Sequence, residues 1–152
     1  MAGLLGRISL DAGETERLQL LTRAHNIGYI AVPDEILEKP EPLTSEEYER
    51  VKTHPQIGCN IAIHTAEYAL IAPQILHHHE RWDGRGYPAG LKGKRIPREC
   101  RIFAVVDAYA AMIAPRPYRK ARTREEALRE IMKGAGGQFD PAAVDEIAGV
   151  LG

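Results

Sequence analysis

The stretch RECRIFAVVDAYAAM, residues 98 to 112, decides the fold that we expect for this chain of 152 residues. Its apolar side chains recur at helical intervals and cover most of the helix, which predicts a helix buried at the centre of a bundle. Asp107 is a lone carboxylate within this apolar segment. A buried carboxylate is costly unless it is paired or bound to a metal, so Asp107 is the first candidate for a functional residue.

Helix start signals surround this segment, and no stretch has a convincing strand pattern. Capping-box spacing predicts three helix starts, at Asp11 with Glu14, at Thr44 with Glu47, and at Thr123 with Glu126. Asp140 before Pro141 predicts the start of the last helix. Prolines make residues 29–43 a connector with at most a turn at Asp34–Leu37, and residues 66–80 are predicted as one helix. The sequence therefore predicts a single all-α helical bundle over residues 1–152, with a glycine-rich loop at 81–97.

The composition is that of a globular domain, with 44% hydrophobic and 27% charged residues. A net charge of −1 gives no electrostatic reason to expect binding to a nucleic acid polymer or to an anionic membrane. No apolar run reaches the ~18 residues of a membrane-spanning helix, and the start lacks the features of a signal peptide. A cytoplasmic location is the resulting expectation, and Cys59 and Cys100 are expected to be buried free thiols.

The stretch LHHHERWDGRGYP, residues 76 to 88, adds three adjacent histidines to His25, His54 and Asp107. Imidazoles and a carboxylate are ligands for Zn, Fe, Mn or Ni. Taken singly, each histidine is better explained as a surface or hydrogen-bonded residue; taken together, they favour a metal site. Because neighbours on a helix are about 100° apart, His78 and His79 can face one cleft only at the last turn. One of the three adjacent histidines is then not a ligand.

The chain resembles the HD-GYP domain, a bacterial branch of the HD metal-dependent phosphohydrolases. The similar segments are AHNIGYIAVPDEILEKP (24–40), LTSEEYERVKTHPQIG (43–58), HHERWDGRGYPAGLKGKRIP (78–97), RIFAVVDAYAAMIAPRPYRKA (101–121) and GAGGQFDP (134–141). The resemblance implies an all-helical bundle, a centre of two or three metals, and hydrolysis of the bacterial messenger cyclic di-GMP.

The resemblance also implies roles for individual residues. The metal ligands implied are His25, His54, His78, His79 and Asp107. Asp107 would also be catalytic, and Asn26 stands at the position of the family's catalytic Asp. Contacts to substrate or phosphate are expected from Arg85, Tyr87, Arg116 and Arg119, although the arginines are equally well explained as solvated side chains. Trp82 or Tyr87 would stack on guanine or else pack the loop. Gly86, Tyr87 and Pro88 form the loop expected to meet a diguanylate cyclase (GGDEF) domain.

The departures from the family pattern fall in the site. Asn26 replaces an Asp that bridges two metals, and a neutral amide does not offset the repulsion between two cations. Tyr29 replaces a Lys that contacts phosphate. Apolar residues replace polar ones at Ala110 and at 113–115, and the family's first helix, which carries a further ligand, is incomplete. We therefore predict at most one divalent Fe, Mn or Zn, held by His54, His78 and His79, or no metal at all.

These departures favour a degenerate HD-GYP domain that binds cyclic di-GMP or a partner with little or no turnover. The first alternative is an active metal-dependent phosphohydrolase that cleaves cyclic di-GMP or a related phosphoester. The second is a purely structural helical fragment without a ligand. An incomplete first helix would also expose apolar surface, which predicts a homodimer.

Overall fold

A computed structural model describes residues 8–115 and 120–151 of the chain. The α-helices of these residues are α1 (Ala12–Ala24), α2 (Asp34–Leu37), α3 (Ser45–Val51), α4 (His54–Ile63), α5 (Ala72–His77), α6 (Arg98–Ile113), α7 (Arg124–Lys133) and α8 (Pro141–Leu151). Short 3-10 segments lie at Ile27–Ala31, Ala69–Ile71 and Gly93–Arg95. Within the described ranges an isolated bridge, Ala135 to Phe139, is the only β feature, so the all-α prediction is confirmed.

The predicted helix starts are present because their capping chemistry is local. The side chains of Asp11, Thr44 and Thr123 each accept a hydrogen bond from the backbone N–H three residues later, and each capping box is reciprocal. The Asp140 carboxylate accepts from the Ala142 N–H at 3.0 Å, at the start of α8. The short helix α2 has the predicted bounds, but the connector is not limited to this one turn, because the 3-10 segment Ile27–Ala31 extends into it.

Helix α6 is the centre of the bundle, as its sequence predicts. Its buried residues are Glu99, Cys100, Ile102, Phe103, Val105, Val106 and Tyr109. The helix packs against α1, α5, α7 and α8, so that apolar side chains from both halves of the chain share one core. Cys100 and Cys59 are buried free thiols, as expected.

The prediction of one helix over residues 66–80 is wrong. The segment contains the 3-10 turn Ala69–Ile71 and then the six-residue helix α5. Pro73 is the reason, because proline lacks the N–H of a helix interior and is tolerated in the first turn, where it lies in α5. The short helix nevertheless ends at His77, so the following histidines emerge at a helix terminus.

Gly28 lets the segment after α1 pack directly on the start of α4. A Cβ atom at this position would lie 1.9 Å from the backbone oxygen of His54. Only a residue without a side chain permits this approach, which brings the His25 region against the His54 region. None of the described helices combines the length and the hydrophobicity that crossing a membrane requires.

Candidate metal centre

Three of the predicted ligands form a close cluster. His54 is the first residue of α4, His78 caps the end of α5, and His79 follows it. One ligand nitrogen from each lies within 4.8 Å of the other two. The end of α5 thus allows two adjacent histidines to face the same space, which a continuing helix would prevent.

Backbone carbonyls orient two of these imidazoles. The Nδ1 atoms of His54 and His78 lie 2.7 Å and 2.6 Å from the carbonyl oxygens of Val51 and Ile75. Because a carbonyl can only accept, each Nδ1 carries the proton and donates, which leaves a lone pair on each Nε2. This arrangement is typical of metal-ligating histidines, whose second nitrogen is fixed by a hydrogen bond.

The two Nε2 atoms face each other at 3.3 Å. Two unprotonated nitrogens at this separation repel, since neither has a proton to share. Two nitrogens bound at ~2.0–2.1 Å to one tetrahedral metal would be about 3.3–3.4 Å apart. The residues therefore fit a metal ion, and the chain carries a histidine cluster that could bind one.

Burial keeps the cluster neutral. Desolvation, with a smaller contribution from neighbouring histidines, lowers the pKa of His78 to about 2 and that of His79 to about 4. The pKa of His54 is also lowered, chiefly by burial. All three imidazoles are therefore unprotonated near pH 7, which is the form that binds a metal.

Two tyrosines stack on the cluster. The Tyr29 ring lies 4.1 Å from that of His54 at 26°, and the Tyr87 ring lies 4.9 Å from that of His79 at 22°. Burial raises the pKa of both phenols, so both remain protonated hydrogen-bond donors. Sequence reasoning treated Tyr29 only as the loss of a lysine and missed this stack.

His25 and Asp107 lie beside the cluster but outside the close group of ligand atoms. The His25 ring is 5.5 Å from that of His78 and 4.9 Å from that of Phe103. Asp107 is half-buried and lines the adjacent cavity, so the expectation of a buried carboxylate is wrong. The apolar pattern of α6 could not show that this turn faces a cavity. Asn26 is exposed at the start of the Ile27–Ala31 turn.

The cluster opens on a cavity of about 420 Å³. Its lining includes Tyr48, His78, His79, Arg81, Arg85, Gly86, Tyr87, Phe103, Ala104, Asp107 and Gln138. Tyr48 was not predicted; the Lys52 ammonium lies 5.7 Å from the rings of both Tyr48 and Tyr87. The Tyr48 to Lys52 spacing of one helical turn, just before His54, is the signal that could have indicated it.

A family model described as an HD domain matches residues 3–143. The chain belongs to the HD domain family. The cyclic di-GMP phosphodiesterase of Thermotoga maritima is 43% identical over 148 residues, which are 93% of this chain and 40% of that protein. The cyclic di-GMP phosphodiesterase response regulator RpfG of Xanthomonas campestris is 40% identical over 153 residues, 97% of this chain and 40% of that protein. The chain thus spans about two fifths of the length of these relatives.

Solved structures show the same fold. Bd1817, described as an HDG"Y"P protein of Bdellovibrio bacteriovorus, matches with a TM-score of 0.71 at 19% identity, over 99% of this chain and 49% of that one. A cyclic GMP-AMP specific phosphodiesterase of Vibrio cholerae matches with a TM-score of 0.68 at 21% identity, over 94% and 39%. Together with the relatives, these confirm that the chain is an HD-GYP domain with the all-helical HD fold.

The remaining predicted residues of this HD-GYP domain lie mostly at the rim of the cavity. Arg85 is exposed and Gly86 and Tyr87 are half-buried there, while Pro88 is exposed on the loop. Trp82 is half-buried and is not among the residues that line the cavity; its backbone N–H donates to the Gln138 carbonyl at 3.1 Å. This placement favours loop packing for Trp82. Arg116 and Arg119 lie outside the described residues.

Glu80 is the buried acid that sequence reasoning quoted but gave no role. Its carboxylate accepts hydrogen bonds from the N–H groups of Ala89 at 2.8 Å and Leu91 at 2.9 Å. These bonds join the histidine segment to the far side of the glycine-rich loop. In the sequence, its role is indicated only by its position directly after His78 and His79.

Proposed function

We propose that the chain is a one-metal HD-GYP domain that binds cyclic di-GMP or a related cyclic dinucleotide and cleaves it slowly or not at all. The observation that carries the proposal is the pair of Nε2 lone pairs, on His54 and His78, that face each other at 3.3 Å. The nucleotide is inferred from the relatives, which are named cyclic di-GMP phosphodiesterases at 43% and 40% identity.

The metal in this proposal is a divalent Fe, Mn or Zn, held by His54, His78 and His79. A metal at this position supplies Lewis-acid polarisation of a phosphoester. The carbonyls of Val51 and Ile75 hold two rings in the ligating tautomer, and burial holds all three rings neutral. These side chains need no rearrangement to present their nitrogens.

A single metal is favoured by the character of the predicted ligands beyond the three clustered histidines. Two divalent cations ~3.5–4 Å apart repel strongly unless an anion bridges them. Asn26 offers a neutral amide and is exposed, and His25 lies beside the cluster with its Nδ1 3.2 Å from the carbonyls of Leu21 and Thr22. Asp107 is then the carboxylate left to accept a proton or to approach the metal from the cavity wall. One metal without a charged bridge supports slow cleavage.

The nucleotide would occupy the cavity beside the cluster. Tyr87 and Arg85 lie at its rim, where the phenol and the guanidinium can donate to phosphate oxygens. Arg116 and Arg119 are proposed for the same task on the basis of sequence alone. The exposed Pro88 and its neighbours are the surface that a GGDEF domain would contact, and Ile30, which is 83% exposed, is an apolar contact for a homodimer.

The test is metal content per chain, on protein purified without oxygen and then offered Fe, Mn and Zn separately. We expect one metal per chain, micromolar or tighter binding of cyclic di-GMP, and turnover far below the ~1–10³ s⁻¹ of ordinary enzymes. No metal under any condition would reject the proposal.

A second candidate is an efficient phosphodiesterase, which the high identity to named phosphodiesterases favours. Two metals per chain together with rapid release of linear product would establish this candidate. The same preparation distinguishes the two, because metal count and turnover are measured on one sample.

A further inference from the structure

We infer that Glu80 is a positioning residue for the imidazole of His79, and that it acts through the loop that carries Tyr87. The inference rests on the proposed function for its metal site, and its contacts are those between residues of the chain itself. Contacts connect Glu80 to the loop, the loop to Tyr87, and Tyr87 to His79.

The first step is the anchoring of the loop. The Glu80 side chain has no exposed surface, which is costly for a carboxylate unless its oxygens are hydrogen-bonded. Both oxygens are used, one by the Ala89 N–H and the other by the Leu91 N–H. With one bond on each oxygen, Glu80 ties Ala89 and Leu91 to the end of the histidine segment.

The second step is the return of the loop onto the histidine segment. A Cβ atom on Gly86 would lie 2.4 Å from the Arg81 nitrogen and 2.6 Å from the His79 oxygen. The Tyr87 N–H donates to that same His79 oxygen at 3.3 Å. Tyr87 is therefore held between this close backbone approach and the anchor at Ala89, two residues further on.

The third step is the orientation of His79. His54 and His78 each donate from Nδ1 to a backbone carbonyl. Among the described residues no comparable hydrogen bond fixes His79, whose ring instead stacks on Tyr87 at 4.9 Å and 22°. Contacts outside the ligand set normally set the direction of a ligating ring. For His79, Tyr87 has that role, and Glu80 holds Tyr87 in place.

The experiment compares Glu80→Gln with Glu99→Gln. Glu99 is also buried, at the start of α6, but pairs with Arg17 away from the loop, so it is a matched control for the loss of a buried charge. In metal-free protein, Glu80→Gln should speed amide exchange at Ala89 and Leu91 and should move the His79 ring-proton resonances, which the Tyr87 ring current shifts. Metal affinity should fall by about 10- to 100-fold, as for other outer partners of ligands. Glu99→Gln should change none of these.

A double-mutant cycle with Tyr87→Leu tests the shared route. If Glu80 acts through Tyr87, the double variant should lose no more metal affinity than whichever single variant has the larger loss. Independent, additive losses overturn the inference, as do unchanged His79 resonances in Glu80→Gln. If Glu80→Gln does not fold, the metal affinities of Tyr87→Leu and Tyr87→Phe decide, since only the first removes the ring that stacks on His79 and should bind metal more weakly; equal affinities overturn the inference. If the wild-type chain binds no metal, the proposed function is rejected. The His79 resonances would still decide this inference, because they are measured without metal.

Discussion

The site has two groups of side chains that differ in how firmly they are held. We call them the histidine wall, which consists of His54, His78 and His79, and the opposite wall, which consists of His25, Asn26 and Asp107. On one, His54 and His78 are buried and each is fixed by a backbone carbonyl, and His79 is stacked on Tyr87. On the other, His25 and Asp107 are half-buried, and Asn26 is exposed.

The difference shows where a metal can be bound without rearrangement. Ligands that are already desolvated, neutral and oriented lose little freedom on binding, whereas exposed groups must first give up water and mobility. The histidine wall therefore has the properties of a metal site by itself. Of the opposite wall, Asp107 lines the cavity and supplies one carboxylate.

The largest expected effect is the loss of the histidine wall. His78→Ala should weaken metal binding by more than ~100-fold, since even outer partners of ligands are worth 10–100-fold. Competition with a coloured chelator measures this affinity. His64→Ala is the control, because His64 is an exposed histidine away from the cluster. If His78→Ala and His64→Ala bind metal equally well, the histidine wall is not the metal site.

The next largest effect is expected where the two walls meet, at the close approach of Gly28 to the backbone of His54. Gly28→Ala should lower the free energy of unfolding by about 3 kcal/mol or more, because the new Cβ would overlap the His54 oxygen. Urea unfolding measures the change. Gly149→Ala is the matched control: nothing lies within 4 Å of a Cβ there, and it should stabilise α8 by roughly 0.5–1 kcal/mol. A Gly28→Ala chain as stable as the wild type would contradict the close approach.

The third prediction uses pH to examine the histidine wall without metal. Burial holds the pKa of His79 at about 4, whereas a histidine in the unfolded chain titrates near ~6.5. Between these values the unfolded chain binds more protons, so the free energy of unfolding should fall as the pH is lowered from about 6.5 to 4. Urea titrations at several pH values measure the slope. His79→Gln should reduce it, and an unchanged slope would contradict the assignment.

The smallest expected effect is on the opposite wall. Asn26→Asp adds a charge at an exposed position, where one ion interaction is worth at most ~1 kcal/mol, or about fivefold in affinity. We expect metal content to remain one per chain, with a gain in affinity no larger than this. A rise to two metals per chain would mean that the opposite wall already has the geometry to bind a metal and lacks only the charge.

Much of the fold was predictable because its signals are local. The capping boxes at Asp11, Thr44 and Thr123 formed as their spacing predicted, and α6 is buried as its apolar pattern predicted. The helix over 66–80 failed because the interrupting effect of Pro73 was overlooked. Periodicity also placed Asp107 among apolar neighbours without showing that a cavity lies in front of it.

The site was predictable where ordered motifs carry it and unpredictable where distant segments meet. The sequence proposed His54, His78 and His79 together, and the described structure places their ligand atoms within 4.8 Å. The stack of Tyr29 on His54 depends on the close approach at Gly28, which no local pattern encodes. The hydrogen bonds from Ala89 and Leu91 to Glu80 likewise follow from the path of the loop.

The three clustered histidines belong to neighbouring elements, since 24 positions separate His54 from His78. Closing so short a loop costs little entropy, and α4 packs directly on α5. During synthesis, His54, His78 and His79 all leave the ribosome before the residues of α6 do. Metal capture at this stage would stabilise the α4–α5 pair in advance of the central helix, and the order of translation would become part of the folding route.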